Sequence, residues 1–111
     1  MESIQPEVLR SAIKEVWIRA LTEVQPDVLN APVKARAEET NPRGQQYLDI
    51  LIENAKKAKE NRIVICQDTG VPTFFVKTSL SFPFTGDIRA EFDGALRDLT
   101  KKEFPMRPMV V

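Results

Sequence analysis

Between Pro6 and Val24 the apolar residues stand on two i,i+4 ladders, Val8-Ala12-Val16-Ala20-Val24 and Leu9-Ile13-Trp17-Leu21. A period near 3.6 places both ladders on one side of a helix, as one wide stripe that other elements must cover. Pro6 suits a first helical position, and Pro26 stops the pattern. Residues Pro26 to Glu39 read as one or two short helical pieces broken near Pro32. Thr40-Asn41-Pro42 then offers cap residues ahead of a second strongly periodic helix, with Tyr47, Leu48, Leu51, Ile52, Ala55 and Ala58 repeating up to about Glu60.

At Asn61 the period changes. Arg62-Ile63-Val64-Ile65-Cys66 is a short, β-branched, apolar run of the kind that makes a buried strand, and Thr73-Phe74-Phe75-Val76-Lys77-Thr78 reads as a second one. Between them Gln67 to Pro72 forms a loop, in which Gly70 permits positive φ. Residues 81–86 make a connection with apolar anchors. Asp87 can cap a last helix carrying Ile88, Phe92, Leu96 and Leu99, which Phe104-Pro105 ends. The expected fold class is therefore α+β, α/β-like, with a helix-rich first half, short strands flanking the Cys66–Gly70 loop, and a final helix. Met106 to Val111 reads as an extended apolar tail, either an edge strand or a connection into further protein.

A chain of 111 residues accommodates one domain, taken as residues 1–111. Sixteen basic residues balance sixteen acidic ones, so there is no net positive field to hold nucleic acid or an anionic membrane. The absence of His and the presence of a single Cys forbid a His-based catalytic pair, and no zinc or iron–sulfur site can be completed from these residues alone. A lone thiol also excludes an intrachain disulfide framework. With no signal-like start and no spanning apolar run, the chain is expected in the cytoplasm.

Reactive groups concentrate in Cys66-Gln67-Asp68-Thr69-Gly70, at the expected carboxyl end of a strand, where a rigid scaffold can hold a loop open to ligands. Cys66 offers a soft thiolate, Gln67 a neutral amide, Asp68 a carboxylate and Gly70 an unobstructed approach. The competing reading is an inert core cysteine, because free Cys is among the most buried residue types and this one follows three apolar residues. Asp68-Thr69-Gly70 alone is similar to the signature of aspartic proteases. Gln67 stands where those enzymes carry an apolar residue, and long helical patterns dominate here instead of sheet.

The longer string Arg62-Ile63-Val64-Ile65-Cys66-Gln67-Asp68-Thr69-Gly70 is far more specific. Together with Ile52 to Ala58, Phe74-Phe75-Val76-Lys77, Phe82-Pro83, Gly86-Asp87 and Met106-Arg107-Pro108, it resembles the iron–sulfur-dependent class I fumarate hydratases and their sister L(+)-tartrate dehydratases. The likeness covers roughly residues 45–111, near the amino end of the α subunit or α region. It departs from the family's pattern at Thr78-Ser79-Leu80-Ser81, which lacks the glycine often found after the second strand.

The resemblance implies the amino-terminal portion of a hydro-lyase acting on a four-carbon dicarboxylate, with fumarate and malate first and tartrate second. By that likeness Cys66 is one ligand of a 4Fe-4S cluster, Gln67 and Asp68 contact substrate, and Arg107 clamps a substrate carboxylate. The remaining cluster ligands and the catalytic base are expected outside this chain. The implied partners are the rest of the α region and a β subunit or C-terminal domain, in an oligomer, so that this piece alone is inactive. A different class of function, a non-catalytic helical module docking through Leu9-Ile13-Trp17-Leu21, is the other reading the sequence allows.

Overall fold

The structure, a computed structural model, describes residues 3–102. The described residues form four helices, α1 (Pro6–Thr22), α2 (Pro26–Glu38), α3 (Pro42–Asn61) and α4 (Ile88–Lys102). They divide into two compact units, one made of residues up to Trp17 and from Asp68 onward, the other of Ile18–Gln67.

Helix starts follow the local chemistry. The Asn41 side chain accepts the Arg43 N–H at 2.9 Å, with Pro42 in the first turn, where its missing N–H costs nothing. Asp87 Oδ1 accepts the N–H groups of Arg89 and Ala90 at 2.9 and 3.3 Å, which makes it the expected cap of α4. Helix α2 runs unbroken through Pro32. Proline there removes one i→i−4 bond, and since α2 has no buried residue, water can serve the orphaned Val28 carbonyl.

In the Ile18–Gln67 unit, α2 packs on α3 and the two are joined by Arg36 Nε to Asp49 Oδ1 at 2.7 Å. The hydrogen bond to Asp49 raises the Arg36 guanidinium above its already high ordinary value. The buried residues of this unit are Ile18, Leu21, Thr22, Ala55 and Ala58. In the other unit the core includes Ile13, Trp17, Ala95 and Leu99. Phe74 bridges Trp17 and Phe92, with ring centroids 5.8 and 4.5 Å away. Glu91, on the buried face of α4, is matched by Arg10 Nε at 2.8 Å, as a nearly buried carboxylate requires.

Two sequence expectations are corrected. The first is the single wide stripe on α1. Ile13, Trp17 and Leu21 are buried, whereas Val8 and Val16 are exposed. Three of the four residues of the Leu9-Ile13-Trp17-Leu21 ladder are buried by the chain itself and Leu9 is half-buried, so the ladder is not a free docking face for a helical interaction module.

The second correction is the fold class. Among the described residues there is no strand, so the expected α+β arrangement gives way to helices joined by a long irregular segment over 63–87. A strand needs a ladder partner, and two donors of the first candidate are already taken elsewhere. Ile63 N–H bonds the Ala58 carbonyl, Ile65 N–H bonds the Leu21 carbonyl, and the Ile65 carbonyl accepts from the Asn54 side chain. β-branched composition describes fit to a pleated surface, and no such surface is formed here. In the second candidate, Phe74 turns into the aromatic bridge while Phe75 is 97% exposed. The expected tail at 106–111, the Phe104-Pro105 stop and Arg107 lie outside the described residues.

Candidate functional site

The segment leading to Cys66 is aimed by the end of α3. Arg62 adopts φ 51°, ψ 47°, the left-handed conformation, and donates its N–H to the carbonyls of Ala58 and Lys59. With Ile63 N–H also on Ala58 O at 3.0 Å, these bonds form a Schellman motif, which satisfies the last carbonyls of α3 and reverses the chain. A side chain in this conformation costs roughly 1–2 kcal/mol, against a glycine entropy cost of about 0.5–1 kcal/mol. Arg62→Gly should therefore raise stability by up to about 1 kcal/mol in thermal denaturation. A clear loss would show that the Arg62 side chain contributes more than its backbone strain removes.

Three residues beyond Arg62, the chain is held at Ile65 from both sides. Its N–H donates to Leu21 O at 3.0 Å, at the end of α1, and its carbonyl accepts from Asn54 Nδ2 at 2.8 Å, on α3. The backbone then bends through residues 65–67. Cys66 and Gln67 stand exposed on that bend. The core-cysteine alternative is thereby excluded: the apolar residues before Cys66 do not carry it inward, because the bend interrupts their direction.

Asp68 is also exposed, and its Oδ1 accepts the Gly70 N–H at 3.1 Å, an Asx turn. Gly70 has φ 66°, as its place in the loop predicted, and a Cβ at this position would meet nothing within 4 Å. The glycine is needed there for its backbone conformation, not for space. Cys66 and Gln67 are thus exposed on the bend, and Asp68, next in sequence, is exposed at the start of its own Asx turn. Arg107, the fourth expected site residue, lies outside the described residues.

Sequence reasoning assigned no role to Asn54. A polar residue in the middle of an amphipathic helix carries no signal of a partner 11 positions away. A groove of about 720 Å³ lies along α3, lined by residues that include Asp49, Ile50, Glu53 and Asn54, and it does not include Cys66.

Among the described residues no group of three or more His, Cys, Asp or Glu side chains could hold a metal ion. Cys66 is the sole cysteine of the chain. An exposed thiol on a bend held by two helices fits one corner of a thiolate-bound iron–sulfur cluster, and this chain has no second thiolate to add.

Comparison with known proteins decides the family. Residues 10–111 match the family model described as fumarate hydratase (Fumerase). The chain belongs to the fumarate hydratase family. Its relatives include a Methanocaldococcus jannaschii protein named "Putative L(+)-tartrate dehydratase subunit alpha", 30% identical over 93% of this chain and 36% of that protein. A Geobacillus stearothermophilus protein named "Putative fumarate hydratase class I" is 38% identical over 64% of the chain and 14% of its own length. The L(+)-tartrate dehydratase subunit alpha of Escherichia coli K12 is 30% identical over 78% of the chain and 28% of its own length. This family chain therefore spans about a third of the tartrate dehydratase relatives and less of the fumarate hydratase. No solved structure matches it. Among the described residues no helix is long and apolar enough to cross a membrane.

Proposed function

We propose that the chain is the amino-terminal portion of a cytoplasmic iron–sulfur hydro-lyase that interconverts a four-carbon hydroxy-diacid and its unsaturated diacid, malate and fumarate being the pair. The observation that carries this reading is the family match over residues 10–111, with Cys66, Gln67 and Asp68 each exposed inside it. Tartrate dehydration is the second reading, favoured by relatives of that name that cover 93% and 78% of the chain.

In this reading Cys66 supplies one thiolate to a 4Fe-4S cluster whose other ligands come from the rest of the enzyme. When bound, the cluster supplies Lewis acidity toward the departing hydroxyl. The Gln67 amide and Asp68 carboxylate hydrogen-bond the diacid and its hydroxyl, fixing its orientation. The planar guanidinium of Arg107 takes a carboxylate through two parallel N–H bonds, a geometry a lysine ammonium does not reproduce. The proton on carbon is removed by a base that this chain does not contribute. The partners are the remainder of the α region and a β subunit or C-terminal domain, assembled as an oligomer.

The test is turnover by the assembled enzyme, reconstituted anaerobically with iron and sulfide, on fumarate, malate and L(+)-tartrate. Interconversion of fumarate and malate is the expected result. Turnover of tartrate alone moves the substrate assignment to the second reading, and an iron-loaded enzyme inert toward all three overturns the hydro-lyase reading.

A further inference from the structure

The Asn54 side chain donates Nδ2 to the Ile65 carbonyl at 2.8 Å, a side-chain bond onto the backbone of the residue immediately before Cys66. We propose that Asn54 is the positioning residue for Cys66, an inference that rests on Cys66 being a cluster ligand.

The argument is geometrical. The Ile65 carbonyl belongs to the planar peptide unit whose nitrogen is that of Cys66. A donor held on that oxygen restrains the plane, and with it the position of the Cys66 Cα from which the thiol-bearing side chain departs. Leu21 O holds the preceding peptide plane through the Ile65 N–H at 3.0 Å. Residue 65 is thus tied at both ends, once to the carboxyl end of α1 and once to the fourth turn of α3. The Asn54 backbone is rigid because it sits in mid-helix, one residue before the buried Ala55. The Schellman turn at Arg62 returns the chain from the end of α3 toward that side chain.

Removing the amide leaves the rest of the fold in place, since Asn54 is exposed and its carbonyl partner can turn to water. What is lost is the restraint that the Asn54 amide places on the peptide plane entering the ligand. Groups that orient a metal ligand without touching the metal typically change metal affinity by about 10–100-fold when removed. Asn54→Ala deletes the donor, Asn54→Asp replaces it with an acceptor that repels the Ile65 oxygen, and Asn54→Gln keeps a donor on a longer arm.

The experiment compares these variants in the assembled, anaerobically loaded enzyme, with Cys66→Ser alongside. Iron release to a chelator, the electron paramagnetic resonance spectrum of the cluster and, in iron-free protein, the alkylation rate of Cys66 by iodoacetamide are measured. For Asn54→Ala and Asn54→Asp the expected result is iron release roughly tenfold faster, an altered spectrum and a changed alkylation rate, with a helical signal like wild type. Asn54→Gln should recover most of the iron retention. Wild-type iron release and spectrum in Asn54→Ala and Asn54→Asp, with Cys66→Ser devoid of iron, would overturn the positioning role alone. Full iron retention in Cys66→Ser would overturn the ligand reading and the positioning role with it.

Discussion

Leu99→Ala lowers the stability of the chain by about 2–5 kcal/mol. Leu99 has no exposed surface and continues the buried i,i+4 line of Glu91 and Ala95 on α4. Truncation forfeits the transfer energy of the removed carbons and leaves a cavity that the neighbours fill only in part. The same chemical change at Leu80, whose side chain is fully open to solvent, should stay within about 0.5 kcal/mol. For a chain of this size each kcal/mol shifts the midpoint by about 4 °C or more, so far-UV circular dichroism should show Leu99→Ala melting at least about 8 °C below the parent. Equal effects at the two leucines would mean that α4 does not form the core.

If Cys66 is a cluster ligand as proposed, Cys66→Ser should remove the iron and, with it, turnover by the assembled enzyme, while leaving the fold intact. The oxygen that replaces the sulfur is a harder, weaker ligand for cluster iron, and the chain holds no second thiol to take its place. Because Cys66 is exposed, the exchange empties no core volume, and stability should change by no more than about 0.5 kcal/mol. Iron and sulfide content, visible absorption and hydro-lyase rate provide the functional measurements, and circular dichroism the structural one. A Cys66→Ser enzyme with full iron and full rate would end the assignment of Cys66 as a ligand.

The candidate site was legible in the sequence where its chemistry is local. The Cys66-Gln67-Asp68 string needed only residue types, and the positive φ of Gly70 followed from its place in a turn. The amide clamp on Ile65 was illegible, because Asn54 looks like any polar residue on a solvated helix face until the chain is folded back over it. Whether Cys66 was buried or exposed was equally beyond the sequence. Its apolar predecessors argue for burial, and only the bend at 65–67 reverses that inference.

The ends of α1, α3 and α4 were determined by the sequence itself, whereas the break expected near Pro32 does not occur in α2. Asn41 and Asp87 cap, Pro6 and Pro42 open, and Pro26 separates α1 from α2, because each of these effects acts within about one turn of chain. Only the tertiary structure decided which ladder of α1 is covered and whether Ile63-Val64-Ile65 becomes a strand. Both depend on partners far along the chain. An apolar stripe is buried only where another surface meets it, and a β-branched run joins a sheet only if a neighbouring strand takes its hydrogen bonds. Here the carbonyls of Ala58 and Leu21 take the N–H groups of Ile63 and Ile65 instead.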